Sequence, residues 1–267
     1  MDRVNDPAAR WRALCLLDDW LATGFARPHS DLLVEAPPEV RAAAPAAPAP
    51  AARAAAEDAA PAAPAPGTVS VGGPVTDRVK LLEEVASAVA SCTLCGLCAN
   101  RTTTVPGEGP LDPHVLFIGE GPGAEEDRTG RPFVGAAGQY LDTWLPPIGL
   151  KREQCFIANC VKCRPPQNRT PLGDEVASCR PFLDGQIDAV RPRVIVALGK
   201  PATSLLLGRD VSITRVRGTW HEDRGTPLLP TFHPAFVLRQ YTPENRRLVW
   251  EDLKAALARA RELGARI

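Results

Sequence analysis

Four short apolar runs set the fold class of this chain. They are Val115-Leu-Phe-Ile-Gly119, Cys155-Phe-Ile-Ala-Asn159, Val194-Ile-Val-Ala-Leu-Gly199 and Leu228-Leu-Pro-Thr-Phe232. None alternates polar with apolar, so each reads as a strand covered on both faces. Helical patterns separate them over residues 136–145, 174–190 and 201–207, and a last one closes the chain over 243–263. Strands alternating with helices predict parallel order. The predicted fold is α/β: a three-layer α/β/α sandwich around a central, mostly parallel four-stranded sheet. One more helix is predicted over 77–90, with Val79, Leu82, Val85 and Val89 on one side.

Sheets of this kind bind ligands outside the carboxyl ends of their strands. Glu120, Asn159 and His233 each fall at such an end. That coincidence predicts a single site.

The chain has 267 residues and 28 prolines, and the prolines crowd between Pro37 and Pro66 among alanines. Such a stretch has little to bury and reads as an extended tether. Three segments follow: a short helical segment over 1–35, an Ala/Pro-rich linker over 36–74 and a folded domain over 75–267. Trp11, Leu14, Leu17 and Leu21 give the first segment an amphipathic helix over 11–25, a surface for the main domain or a protein partner.

Lysine plus arginine and aspartate plus glutamate number 31 each, so bulk charge does not advertise nucleic-acid binding. Arg164, Arg169, Arg180, Arg215, Arg217, Arg239, Arg246 and Arg247 nevertheless sit near predicted loops and helix ends. No apolar run approaches the ~20 residues of a membrane span. No signal-peptide pattern opens the chain. A cytoplasmic protein is expected, and its eight cysteines are then expected to serve metal or redox chemistry rather than disulfides.

Cys92 and Cys95 form a C-x2-C pair, and Cys163 and Cys179 a C-x15-C pair. Four thiolates suit a [4Fe–4S] cluster or a tetrahedral zinc ion, and spacing alone does not separate the two. Cys98 extends the first pair as Cys95-Gly-Leu-Cys98 and ranks below the other four. Cys15, Cys155 and Cys160 read as ordinary thiols.

Between the pairs lies Gly119-Glu-Gly-Pro-Gly123, a sharp turn after a strand, followed by Glu125, Glu126 and Asp127. It has neither the Lys-Ser/Thr of a P-loop nor GxGxxG spacing. Three acids repel a nucleotide phosphate. The loop therefore points to acid/base or electrostatic work, with a helix N-terminus stabilised by acids as the plainer reading.

The segments GEGPGAEEDRTGRPFVGAAG, NCVKCRPPQNRTP and PTFHPAF, with the four cysteines, resemble the family 4 uracil-DNA glycosylases. The resemblance runs from about Cys92 to Arg239. It implies a [4Fe–4S] cluster on Cys92, Cys95, Cys163 and Cys179. It also implies hydrolysis of the N-glycosidic bond of deoxyuridine in DNA, leaving an abasic site for base excision repair. By the same resemblance Phe133 stacks on the flipped uracil and Asn159 pairs with O4 and N3–H. Glu126 lies beside C5 and excludes a methyl, and backbone at Gly121 lines the pocket. His233 hydrogen-bonds O2, and Glu120 holds the water or stabilises the positive sugar. Arg164, Asn168, Arg169 and Arg239 are expected on phosphates, with Val237 or Leu238 as the wedge that fills the gap left by the base.

Three departures qualify the resemblance. Family 1 enzymes of the superfamily carry an aspartate where Gly121 stands. A leucine is usual where Val237 stands. The cross-linking branch has a histidine after a basic insertion near the second cysteine pair, and none follows Asn168 here. Two rival readings are a non-catalytic iron–sulfur DNA-binding module of the same fold and a zinc-stabilised hydrolase of another nucleoside. The expected partner is uracil-containing DNA, bound by a monomer.

Overall fold

The computed structural model describes residues 74–265, so the expected helix over 11–25 and the linker up to residue 73 lie outside the described residues. Strand β1 spans Val115–Gly119, β2 Cys155–Asn159, β3 Val194–Leu198, β4 His221–Asp223 and β5 Thr226–Thr231. They form one sheet in the order β2-β1-β3-β5-β4. The first four in that order run parallel, and β4 pairs antiparallel with β5.

The sheet thus has five strands where the sequence predicted four. The added strand, His-Glu-Asp, has no apolar run to announce it. It is an edge strand that buries only Asp223 and returns through a tight turn at Arg224 and Gly225, with φ of +48° and +82°. The four predicted strands occupy the interior and the β2 edge, where apolar faces on both sides are required.

The helices are α1 Val75–Ala90, α2 Ala124–Thr129, α3 Ala136–Ile148, α4 Gly173–Val190, α5 Gly199–Leu207, α6 Ile213–Val216, α7 Pro234–Arg239 and α8 Pro243–Glu262. Leu116, Ile118, Phe156, Ala158, Ile195 and Ala197 turn one sheet face toward Leu183 and Ile187 of α4 and Ala202 and Leu206 of α5. Alternate strand residues turn the other way, where α8 packs on β1, β3 and β5 and against α3. The three layers are those the sequence predicted.

Helix α1 packs on α4. Leu81, Val85 and Val89 face inward, but Val79 is 42% exposed and does not share their face. Arg78 takes the inward place instead. Its Nε donates to the Ala189 carbonyl at 2.7 Å, and its Nη groups reach the Val190 carbonyl and Asp112. Among the described residues no helix is long and apolar enough to cross a membrane.

Candidate active site and cysteine frame

Parallel order brings the ends of three strands to one edge of the sheet. Gly119 closes β1 in register with Asn159 of β2. Glu120 follows Gly119, and His233 follows β5 by two residues. A cavity of about 500 Å3 opens there, with Glu120, Gly121, Glu126, Phe133, Asn159 and His233 on its walls.

Gly119 sits against two of the cavity residues. A Cβ there would lie 2.5 Å from both Asn159 Oδ1 and Phe133 Cζ. Bare backbone is what lets the amide and the ring come together. Asn159 is only 2% exposed, and its Oδ1 has no hydrogen-bond partner among the described residues. An unpaired buried acceptor costs about 1–3 kcal/mol. A ligand carrying an N–H can relieve that cost.

The Phe133 ring lies 5.7 Å from the His233 ring, tilted by 34°. Its backbone is left-handed, with φ of +52°, which costs a non-glycine residue about 1–3 kcal/mol unless its surroundings hold it. Two clamps do so. The buried Glu126 carboxylate accepts N–H groups from Gly123 at 3.0 Å, Val134 at 2.9 Å and Gly135 at 2.8 Å. From the opposite side the Arg152 guanidinium donates to the carbonyls of Pro132 at 2.7 Å and Phe133 at 3.2 Å. Glu108 and Asp142 hold Arg152 in turn.

His233 caps α7 with its side chain, since Nδ1 accepts the Ala235 N–H at 3.1 Å. Burial, and secondarily the charge of Arg239, push its pKa down to about 4. The strand before it is anchored: Thr231 Oγ1 donates to Asp252 at 2.6 Å, and Arg217 Nε donates to the same carboxylate at 3.0 Å.

Three acids line the cavity, and two are engaged. Glu125 pairs with Arg128 at 2.8 Å, and Glu126 is committed to backbone. The half-buried Glu120 carboxylate has no hydrogen-bond partner among the described residues. An acid at Gly121 would require Val161 to shift, because a Cβ there would stand 2.9 Å from Val161 Cγ2.

On the far side of the 160–171 loop, Cys92, Cys95, Cys98, Cys163 and Cys179 surround a small cavity with Arg101, Leu97 and Phe182. Cys163 and Cys179 are buried, and both belong to an apolar cluster with Val85, Val89, Leu97 and Val161. Arg101 Nη1 donates to Cys163 Sγ at 3.2 Å, and the Lys162 N–H donates to Cys179 Sγ at 3.3 Å. Burial pushes the Cys179 thiol up to about 11, against the charge of Lys162 and its backbone hydrogen bond. Among the described residues no three His, Cys, Asp or Glu side chains converge on one point that could hold a single ion. The donor set and its N–H···S contacts fit a thiolate-held cluster.

Residues 106–254, which include the cavity and both clamps, match the family model described as the uracil DNA glycosylase superfamily. The chain belongs to the uracil-DNA glycosylase superfamily. It is 51% identical over 183 residues to a type-4 uracil-DNA glycosylase from Thermotoga maritima, a match covering 67% of this chain and 94% of that protein. It is 46% identical over 182 residues to a type-4 uracil-DNA glycosylase from Sulfurisphaera tokodaii, covering 65% and 82%. Identity to a type-5 uracil-DNA glycosylase from Pyrobaculum aerophilum is 33% over 174 residues, covering 58% and 74%. The chain sides with the type-4 branch of the superfamily.

Around the rim of this superfamily site the expected DNA-contact residues differ in their freedom. Arg164 Nε donates to Asn168 Oδ1 at 2.8 Å. Arg169 is held by Glu175 at 2.6 and 2.8 Å. Arg239 is exposed at the cavity mouth. Of the two wedge candidates, Val237 is 0% exposed and Leu238 is 38% exposed.

Sequence reasoning did not find Glu108, Arg152, Lys162 or Gln186. Lys162 left a signal, a charge inside the otherwise apolar Cys160–Cys163 run. Glu108, Arg152 and Gln186 left none, since their partners are backbone carbonyls and side chains far off in sequence.

Proposed function

We propose that this chain hydrolyses the N-glycosidic bond of deoxyuridine in DNA, leaving an abasic site and starting base excision repair. One observation carries the reading. The buried Asn159 amide, whose Oδ1 has no partner among the described residues, shares one cavity large enough for a single base with the Phe133 ring and the His233 imidazole.

The target nucleotide leaves the stack, at a cost of a few kcal/mol, and the base enters the cavity. Phe133 stacks on it. Asn159 Oδ1 accepts N3–H and the amide nitrogen donates to O4. Cytosine has a donor in place of O4, so the same amide rejects it. Glu126 excludes a C5-methyl by fixing the wall that carries Phe133.

Because the Ala235 N–H occupies Nδ1 of His233, the neutral ring carries its proton on Nε2 and can donate it to uracil O2. As the C1′–N1 bond breaks, its electron pair moves into the uracil ring, and that hydrogen bond strengthens as charge reaches O2. The sugar passes through an oxocarbenium-like state, as in glycoside hydrolysis. Glu120, the uncommitted carboxylate, stabilises that cation, orients the water that adds to C1′ and takes the proton that this water releases.

Cys92, Cys95, Cys163 and Cys179 would hold a [4Fe–4S] cluster. Thiols that ring a cavity suit a cluster, whose irons take one thiolate each. A single zinc ion needs all four sulfurs about 2.3 Å from one centre. When bound, the cluster supplies a tie between the segment after α1 and the 160–171 loop, while glycosidic hydrolysis itself requires no electron transfer. Arg164, Asn168 and Arg239 contact phosphates without reading sequence. In this reading the enzyme acts as a monomer on cytoplasmic DNA.

The test is excision from a single-uracil oligonucleotide, single- and double-stranded, with a matched thymine control, read by alkaline cleavage. Scission at uracil and not at thymine is expected. No scission by protein carrying iron and sulfide would move the reading to a non-catalytic DNA-binding module.

A further inference from the structure

Lys162 is 1% exposed, and among the described residues no carboxylate touches its ammonium. Burying a lysine this way costs stability. Its Nζ donates to the Asn159 main-chain carbonyl at 2.9 Å and to Gln186 Oε1 at 2.6 Å. Gln186 is buried too, and its Nε2 donates to the Pro106 carbonyl at 2.6 Å. The backbone of Lys162 is also engaged. Its N–H donates to Cys179 Sγ at 3.3 Å, and its carbonyl accepts the Val105 N–H at 2.8 Å. One residue therefore joins a frame thiol, the loop at Val105 and the peptide of Asn159.

We propose that Lys162 is a positioning residue that fixes the base-reading amide of Asn159 relative to the cysteine frame. The inference rests on the uracil-excision reading above. The pinned carbonyl lies on the same residue as the amide, separated from it by Cα and Cβ only. A shift of that peptide therefore moves both groups that uracil N3–H and O4 must meet. An apolar side chain would fill the same space without the burial cost, but it would leave the Asn159 carbonyl unheld. Beside the main chain from Asn159 to Cys163, one side chain thus ties the frame to the pocket.

The test compares Lys162→Met, Asn159→Ala and the double variant with the parent protein carrying its iron and sulfide. Single-turnover excision, affinity for a uracil-free oligonucleotide, iron content and amide exchange over residues 155–163 are measured. Lys162→Met is expected to keep its iron and its affinity for uracil-free DNA, to exchange faster over 155–163, and to excise uracil ~10–100-fold more slowly, the loss that misplacing a binding group brings. The double variant is expected to be no slower than Asn159→Ala, because both changes remove one function. Losses that multiply in the double variant would overturn the proposal, as would unchanged excision by Lys162→Met. Should Lys162→Met lose its iron, Gln186→Met removes the other Nζ acceptor away from the frame. A several-fold loss absorbed by Asn159→Ala supports the link, and an unchanged rate sinks it. If the parent protein fails to excise uracil, the functional reading fails, and exchange over 155–163 still decides whether Lys162 holds the peptide.

Discussion

The backbone N–H of Ala235 donates to Nδ1 of His233 at 3.1 Å, so the side chain that caps α7 presents only its other nitrogen to the cavity. Burial, with the charge of Arg239, holds the ring neutral down to about pH 4. Excision should therefore show no loss from His233 as pH falls through 6.5, and the limb that belongs to this ring should lie near pH 4. The stability linkage has a definite sign. Unfolded histidine titrates near ~6.5, so between about 6.5 and about 4 the unfolded chain binds a proton that the folded chain does not. Stability from this group is whole above that window and declines as pH falls through it. Melting temperatures from pH 7.5 to 4.5 should decline less steeply in His233→Asn than in the parent. The same variant, having lost the O2 donor, should excise uracil ~10²–10³-fold more slowly. An excision limb at pH 6.5 that vanishes with the imidazole would contradict the half-buried, capping ring.

Glu126 holds the left-handed turn at Phe133 by accepting three backbone N–H groups. Glu126→Ala strands those donors, at about 1–3 kcal/mol for each one left without water. A net loss of about 2–4 kcal/mol is expected in urea denaturation. Uracil excision should fall with it, because the stacking ring loses its mount. Glu126→Gln keeps acceptor oxygen and should fall between. A carboxylate acting directly on the C5-methyl would behave otherwise: uracil excision would hold and thymine excision would appear.

The interior strands were legible because each had to be apolar on both faces, a pattern written in consecutive residues. β4 was not, since an edge strand that buries one Asp223 side chain needs no apolar run. Glu120, Asn159 and His233 could be grouped from strand ends alone, because parallel order sends those ends to one edge. The cysteine set could be read from its spacing, and the resemblance supplied the role of Phe133 and the cluster in place of zinc. What holds them stayed hidden. Arg152 grips the Phe133 turn from 19 residues away in sequence, and Gln186 reaches Pro106 across 80 residues. Hydrogen bonds to distant carbonyls leave no local pattern. The face of α1 was misread for a related reason: Arg78 finds buried carbonyls at the end of α4, so a charged residue took the place of Val79.

Val237 and Leu238 are neighbours with opposite surroundings, 0% and 38% exposed. Only Leu238 can leave the protein surface to enter a duplex. Leu238→Ala should leave the melting temperature unchanged and lower excision from double-stranded DNA more than from single-stranded DNA, where no stacked gap has to be filled. Val237→Ala should cost about 1–3 kcal/mol of stability through the cavity it leaves, with equal effects on both substrates. Equal loss on both substrates in Leu238→Ala would remove it as the wedge.

Five thiols surround one small cavity, but they are not equivalent. Cys163 and Cys179 are buried, whereas Cys92, Cys95 and Cys98 are partly exposed. Cys98 lies in a short turn over Gly96–Ala99, where its N–H donates to the Cys95 carbonyl at 3.2 Å. A four-cysteine frame with Cys98 outside the ligand set predicts two classes of variant. Cys98→Ser should keep full iron and sulfide per chain and full excision. Cys92→Ser, Cys95→Ser, Cys163→Ser and Cys179→Ser should each lose cluster iron, with Cys179→Ser also losing the sulfur that the Lys162 N–H meets. Metal binding is folding free energy when its ligands come from separate segments. Chelation of iron under denaturant should therefore lower the unfolding midpoint of the parent and of Cys98→Ser alike. Iron retained in Cys179→Ser and lost in Cys98→Ser would reassign the fourth ligand.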